Sequence, residues 1–405
     1  MHSDPSLGSA DLLATAHRLA PKLQAWRRHL HAHPELSFAE HETQVYLTRQ
    51  LRDLGAEPRP IAGTGLVLDI EGGRPGPCVA VRADIDALPI QEVAGRAYGS
   101  TVAGVMHACG HDVHATCALG ATALLLGRRE ALPGTVRVIF QPGEELLPGG
   151  ATRVIAEGGL ADPPVEAIVG LHVAPALPVG SFGVRPGRYM ASADELRVAF
   201  TGEGGHGALA HRHVDLVACA AQAVVGLQQV VSRKAPPDVP TVLSFGRIAS
   251  RGGATNVLTD RVELEGTFRT YDENWRAAAH GWIRTIIEHT AEALGAGCAV
   301  DIARGYPALR NDPAATSAVR GALGEVAVAA GLGGSVTDLA LRPTAEDFAW
   351  YLREVPGCFF RLGVRNEARG VTAGVHTPEF DVDEACLPLG AAALAAAACS
   401  LLTGR

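Results

Sequence analysis

A chain of 405 residues is too long for one ordinary hydrophobic core, and at about 150 residues per domain it should form two or three. With 47% hydrophobic and 19% charged residues the composition is that of a well-buried globular protein, which excludes extensive disorder. The formal charge of -8 comes without a basic run that could follow a phosphate backbone, so nucleic acid is excluded as a partner.

Met1 to Ala10 lacks the basic start and apolar core of a signal peptide, and the expected location is cytoplasmic. Asp11 to Leu54 shows helical spacing interrupted at Pro34 and closed by Gly55, which predicts two helices. Strands at Cys78 to Val81, Val136 to Phe140 and Ala167 to Leu171 alternate with a helix at Ala115 to Leu126. This alternation predicts an α/β domain with a mixed, mostly parallel sheet flanked by helices. From Glu195 the order changes. Strand Glu195 to Phe200, helix Val214 to Arg233, strands Val242 to Ile248 and Arg261 to Arg269, helix Glu273 to Leu294 and strand Cys298 to Ala303 follow. That β-α-β-β-α-β order predicts an inserted ferredoxin-like domain over residues 187–303, leaving 1–186 and 304–405 as one discontinuous domain. The first pattern then resumes, with a helix at Ala314 to Ala330 and a strand at Cys358 to Leu362. Leu387 to Leu402 is alanine-rich, contains Pro388 and Gly390, and is shorter than the ~20 residues of a membrane span, so it is expected to be a buried helix rather than a membrane anchor. The eight cysteines are scattered without a C-x-x-C pair and read mostly as small buried hydrophobes.

Chemistry concentrates at the predicted strand ends. His107-Ala-Cys-Gly-His-Asp-Val-His114 offers three imidazoles, a thiol and a carboxylate within eight positions, a donor set suited to zinc and other late first-row metals. The plainer alternative is a polar helix start with Asp112 as cap. Glu144 and Glu145 follow a strong strand, where one carboxylate can coordinate metal while its neighbour takes a proton. His172 ends another apolar strand, and His376 lies in a loop after Cys358 to Leu362. Each alone would pass as structural, but four strand ends supplying Cys/His, Glu, His and His point to a shared metal site. In the insertion, glycines around His206 would bring that imidazole close to a ligand, and an Asn256/Arg269 pair could clamp a carboxylate.

These segments, with Arg28-His-Leu-His-Ala-His-Pro-Glu35, Arg82-Ala-Asp-Ile-Asp-Ala-Leu-Pro89, Gln141-Pro-Gly-Glu-Glu145, Gly204-Gly-His-Gly207, Glu346-Asp-Phe348 and His376-Thr-Pro378, closely resemble the aminoacylase and carboxypeptidase family of co-catalytic metallohydrolases. The match is to the branch holding hippurate hydrolases, auxin-conjugate hydrolases and bacterial N-acyl-amino-acid amidohydrolases. It implies two divalent ions per subunit (zinc, manganese, cobalt or nickel), with Cys109 bridging them and His111, Glu145, His172 and His376 as further ligands. The resemblance also implies Glu144 as general acid/base and His206 as an oxyanion contact. Asn256 and Arg269 would contact the substrate carboxylate, and Asp84 would lie behind the ligands. A homodimer through the inserted domain is implied as well. Gly143, Ala210 and Leu258-Thr259 depart from the family's commoner residues.

The expected reaction is hydrolysis of the amide bond of N-acyl amino acids by metal-activated water, with Glu144 moving the proton. Three readings compete with it: a metallo-aminopeptidase or dipeptidase-type carboxypeptidase of the same fold, a thiol enzyme using Cys109 with His111 or His114 as base, and a non-catalytic binding protein.

Overall fold

A computed structural model describes residues 8–331 and 335–404, so most of Met1 to Ala10 lies outside the described residues. The chain divides into two compact units. One holds the residues up to Gly187, Arg310–Ala340 and Asp347 onward; the other holds Arg188–Leu309 and Leu341–Glu346. A single continuous insertion does not include that short return.

Three helices precede the sheet of the first unit: α1 (Ser9–Arg18), α2 (Ala20–Ala32) and α3 (His41–Asp53). The expected pair of helices missed the break at Leu19. Pro21, in the first turn of α2, has no N–H to give the preceding turn, and its ring would clash with the carbonyl four residues back. The sheet comprises β1 (Arg59–Ile61), β2 (Gly65–Glu71), β3 (Arg74–Asp84), β4 (Pro133–Gln141), β5 (Val165–Pro178), β6 (Phe182–Val184), β7 (Val336–Asp338) and β8 (Gly357–Arg365). Their order is β1-β2-β4-β3-β5-β8-β6-β7. The neighbours β4, β3, β5 and β8 run parallel, as do β6 and β7, while β1/β2, β2/β4 and β6/β8 are antiparallel. The central strands are nearly continuous apolar runs, such as Val136 to Phe140 with only Arg137 interposed, because both faces of the sheet are covered.

Helices α4 (His111–Leu126), α5 (Pro313–Ala330) and α6 (Cys386–Thr403) lie against the sheet. Both α4 and α6 are buried almost throughout, so neither needs a polar face, and the apolar length of α6 belongs to a core helix. They approach closely because their crossing is lined by small residues. A Cβ on Gly120 would stand 2.6 Å from the Ala391 Cβ, and one on Gly390 would stand 2.4 Å from the Cys117 Sγ. Strand register sets the level of the site: Asp84 is opposite Gln141, Arg82 opposite Gly170, and Arg361 opposite His172. His172 therefore lies inside β5 rather than at the end of a strand closing at Leu171. Since β3 stops pairing with β5 at Arg82–Gly170, His172 lies just beyond the end of that ladder.

The second unit is a four-stranded antiparallel sheet ordered Thr241–Ser250, Arg261–Thr270, Asp194–Thr201, Gly297–Arg304, with helices Leu216–Gln229 and Glu273–Ala293. Leu196, Val198 and Phe200 alternate with more exposed neighbours and join Leu216, Ala223, Ile283 and Ile287 of both helices in one core, so both helices cover the same face. Asp194 is the buried anchor of this unit. It accepts from Arg276 Nε at 2.9 Å, His280 Nε2 at 2.7 Å and Gly305 N at 3.2 Å.

Candidate metal centre

The turn leading into α4 depends on Gly110. Its φ of +85° is left-handed, and a Cβ there would meet Val173 Cγ2 at 2.6 Å. Only glycine lets the Cys109–His111 turn pack directly on β5. Gly110 is also the N-cap residue, which corrects the reading of Asp112 as cap. Asp112 instead points inward, accepting from Arg27 Nε at 2.9 Å and meeting His31 Nδ1 at 2.8 Å. Burial opposes its charge, but Arg27 and His31 hold it far below the usual carboxylate range.

Five of the predicted side chains come together. Cys109 Sγ is 3.4 Å from His172 Nε2 and 3.3 Å from His376 Nε2. Glu145 Oε1 is 3.3 Å from His376 Nε2 and 4.0 Å from His111 Nε2. The donor atoms form two triplets sharing one thiol: Cys109, His111 and His172, and Cys109, Glu145 and His376. Each element supplies its donor for a local reason. His111 opens α4, Glu145 follows β4, and His172 lies on β5. His376 is held by its N–H to Ala108 O at 2.7 Å in a backbone with φ +63°, a conformation that costs a non-glycine residue about 1–3 kcal/mol.

A cation fits this set. His111 Nε2 is buried without a hydrogen-bond partner among the described residues, with carboxylate oxygens of Asp84 and Glu145 at 3.7 and 4.0 Å. Donors bonded to one ion at about 2.0–2.3 Å stand roughly 3–4 Å apart, the spacing seen here. The electrostatics agree. Burial alone would lower His111, yet Asp84 and Cys109 raise it well above its ordinary value. Hydrogen bonds to Cys109 and Glu145 push His376 up to about 10. Around His111 and His376 the neighbouring negative groups favour a cation, whereas burial and Arg361 lower His172 well below its ordinary value. Burial and the neighbouring Glu145 raise the Cys109 thiol, which argues against a free nucleophilic thiolate.

Two buried carboxylates stand behind the candidate ligands. Asp84 receives His114 Nδ1 at 2.5 Å and Arg82 Nη1 at 2.6 Å, and His114 Nε2 accepts Val173 N–H at 3.0 Å, beside His172. The carboxylate on His111 Nδ1 is Asp86, at 3.1 Å, and its other oxygen accepts Glu145 N–H at 2.9 Å and Ser37 Oγ at 2.7 Å. Sequence reasoning missed Asp86, although it stands two positions after Asp84 in the same motif. Glu144 is buried, and its Oε1 accepts Asp347 N–H at 3.4 Å.

The remaining predicted residues belong to the second unit. His206 lies on a two-residue strand paired with Val257–Leu258, is exposed, and accepts Ala208 N–H on Nδ1 at 3.1 Å. The Asn256 carbonyl accepts Gly207 N–H at 2.7 Å, which ties the His206 turn to the Asn256 loop. Arg269 is half-buried on its strand, and burial lowers its pKa.

The model of Peptidase family M20/M25/M40 matches residues 80–400. The chain belongs to this family. Among M20 relatives, it is 39% identical over 371 residues to the N-acetyl-L-cysteine deacetylase of Bacillus subtilis, covering 91% of this chain and 85% of that protein. It is 36% identical over 370 residues to thermostable carboxypeptidase 2 of Saccharolobus solfataricus, covering 91% and 92%. Among solved structures, the Bacillus subtilis YXEP protein, described as a dinuclear metal binding peptidase from M20 family, superposes with a TM-score of 0.82. That protein is 36% identical, with 96% of this chain and 100% of that one covered. The chain is accordingly an M20 amidohydrolase or peptidase, with the mixed α/β fold expected of it.

Proposed function

We propose that this M20 hydrolase cleaves the amide bond of N-acyl amino acids, releasing a carboxylic acid and an amino acid. Two divalent ions would be held by Cys109, His111, Glu145, His172 and His376. The observation that carries the reading is the pair of donor triplets sharing Cys109, with the Glu144 carboxylate in reach of His111 and Glu145. The thiolate and imidazoles favour zinc, and manganese, cobalt and nickel fit the mixed donors. Bound there, the ions supply Lewis acidity, lowering the pKa of water toward about 7 and polarising the amide carbonyl.

The chain's own groups do the rest. Glu144 takes a proton from the attacking water and returns it to the leaving amine. His206 offers a hydrogen bond to the carbonyl oxygen as charge grows there. Arg269 and Asn256 hold the substrate carboxylate. A homodimer through the second unit belongs to the same proposal. Its edge strand Thr241–Ser250 exposes Val242 and Ile248, and sedimentation of the purified protein tests it.

Replacing Glu144 with Ala should slow turnover of an N-acyl amino acid by about 10²–10⁴-fold while both metals stay bound. Near-normal hydrolysis by that variant would overturn the assignment. The relative named as a carboxypeptidase favours a second reading, cleavage of peptides. A panel of N-acetyl and N-benzoyl amino acids against dipeptides separates the two by kcat/KM.

A further inference from the structure

Behind the general base stands a residue that the ligand pattern does not include. We propose that Asp347 is the positioning residue for Glu144, an inference that rests on Glu144 acting as the base. Asp347 opens a short turn (Asp347–Trp350) and is fully buried. Its Oδ2 accepts from Gln141 Nε2 at 2.7 Å and Ala151 N at 3.0 Å, and its Oδ1 accepts from Arg82 Nη2 at 2.7 Å. Gln141 ends β4, and Ala151 lies in the first turn of the helix Gly150–Ala156. One carboxylate therefore pins both ends of the loop 142–149, which carries Glu144 and Glu145.

The Asp347 N–H completes the arrangement by donating to Glu144 Oε1 at 3.4 Å. Side chain and backbone of one residue thus fix the loop and the acid it presents. Arg82 extends the frame, giving Nε to Gln141 Oε1 at 2.9 Å and Nη1 to Asp84 Oδ2 at 2.6 Å, so the base is referenced to the floor under the ligands. A group that takes a proton and gives it back must stay within about 0.5 Å of its working position, and a loop anchored only by its own backbone does not ensure that. Asparagine could not substitute. Three donors converge on the carboxylate, whereas an amide offers one acceptor oxygen and sets its NH₂ against another N–H.

The test is Asp347→Asn alone and in a Glu144→Asp background, in which the shortened acid no longer reaches the Asp347 N–H. As a single change it should lower kcat about 10–100-fold with KM within about 2-fold, while the metal content of the purified protein is unchanged. Hydrogen exchange of the peptide spanning 141–151 should accelerate. In the Glu144→Asp background the same change should cost less than about 3-fold, because the shortened acid is already off its working position and has less to lose from a loosened loop. Equal losses in both backgrounds, unchanged kcat, or a loss that follows metal content would each overturn the positioning role. If instead Glu144→Ala and Glu144→Asp alone keep near-normal turnover, the underlying base assignment fails, and the two failures are distinct. Should Asp347→Asn not fold, Ala151→Pro removes one donor at a helix position that tolerates proline. It should lower kcat several-fold with KM held, and no change in kcat would overturn the proposal.

Discussion

The carboxylate of Asp86 offers a direct way to ask whether His111 is a metal ligand. A carboxylate only accepts, so its contact with His111 Nδ1 at 3.1 Å places a proton on Nδ1, and the neutral ring that a metal requires then turns its Nε2 lone pair to the cluster. The other oxygen accepts from both Ser37 Oγ at 2.7 Å and Glu145 N at 2.9 Å. Burial works against the charge of Asp86, but His111 and the Glu145 N–H hold its pKa below the ordinary value. In Asp86→Asn the amide oxygen must stay toward the Ser37 and Glu145 donors, so the NH₂ turns to His111. The ring must then accept on Nδ1 and carry its proton on Nε2, the nitrogen that faces the other donors. Loss of such a partner costs about 10–100-fold in metal affinity, or about 1.4–2.8 kcal/mol. Fold stability should change little, since most hydrogen bonds are remade in altered form. Asp86→Ala should behave differently, leaving the His111 and Glu145 donors uncapped at about 1–3 kcal/mol of stability each. Chelator competition with manganese or zinc measures the affinity, and the thermal midpoint measures the stability. If Asp86→Asn binds metal within 2-fold of the parent, the tautomer argument and the place of His111 among the ligands are wrong.

Two further outcomes follow from buried contacts. In the second unit, removing the Asp194 carboxylate with Asp194→Asn breaks a buried pair with Arg276 and should destabilise that unit by about 3–5 kcal/mol in urea unfolding. Although burial opposes its charge, His280 and Arg276 lower the folded pKa of Asp194. Its contribution is therefore complete above the unfolded value of about 3.9 and disappears as pH falls through the lower folded value. The parent should lose stability below about pH 4 more steeply than Asp194→Asn, and parallel pH profiles for the two would count against the assignment. At the active loop, Gly143 has φ +64°, and a Cβ there would sit 2.4 Å from the Phe38 ring. Gly143→Ala, although alanine is common at this position in the resembled family, should cost about 1–3 kcal/mol here, and Phe38→Ala should recover part of it in a thermal melt.

Local pattern accounts for what the sequence made legible. Apolar runs such as Val79–Val81 and Val136–Phe140 bury both faces of a strand, and the candidate ligands follow from what those strands end on. Leu66-Val-Leu-Asp-Ile70, an apolar run interrupted only by Asp69, forms β2, which the expected elements did not include. Proximity across the chain was not legible. The spacing of Asp84 and Asp86 does not say which carboxylate meets which imidazole, because both lie where β3 is ending and the answer depends on the seating of α4. Asp347 is more remote still, since nothing near it in sequence indicates that Gln141 and Ala151 will converge on it. The substrate-facing roles of His206, Asn256 and Arg269 were legible through resemblance alone.

The central place of β8 between β5 and β6, with α6 lying over α4, bears on how the molecule is made. On the ribosome β5 emerges with its outer edge bare, and at 5–20 residues per second it waits on the order of ten seconds or more for its partner. The whole second unit is synthesised in that interval. Cys109, His111, Glu145 and His172 are therefore exported before the sheet that orders them can close, and a nascent chain would present a thiol, two imidazoles and a carboxylate on an unfinished frame. A site built from Cys109, His111, Glu145, His172 and His376 would therefore be complete only once His376 and α6 have arrived.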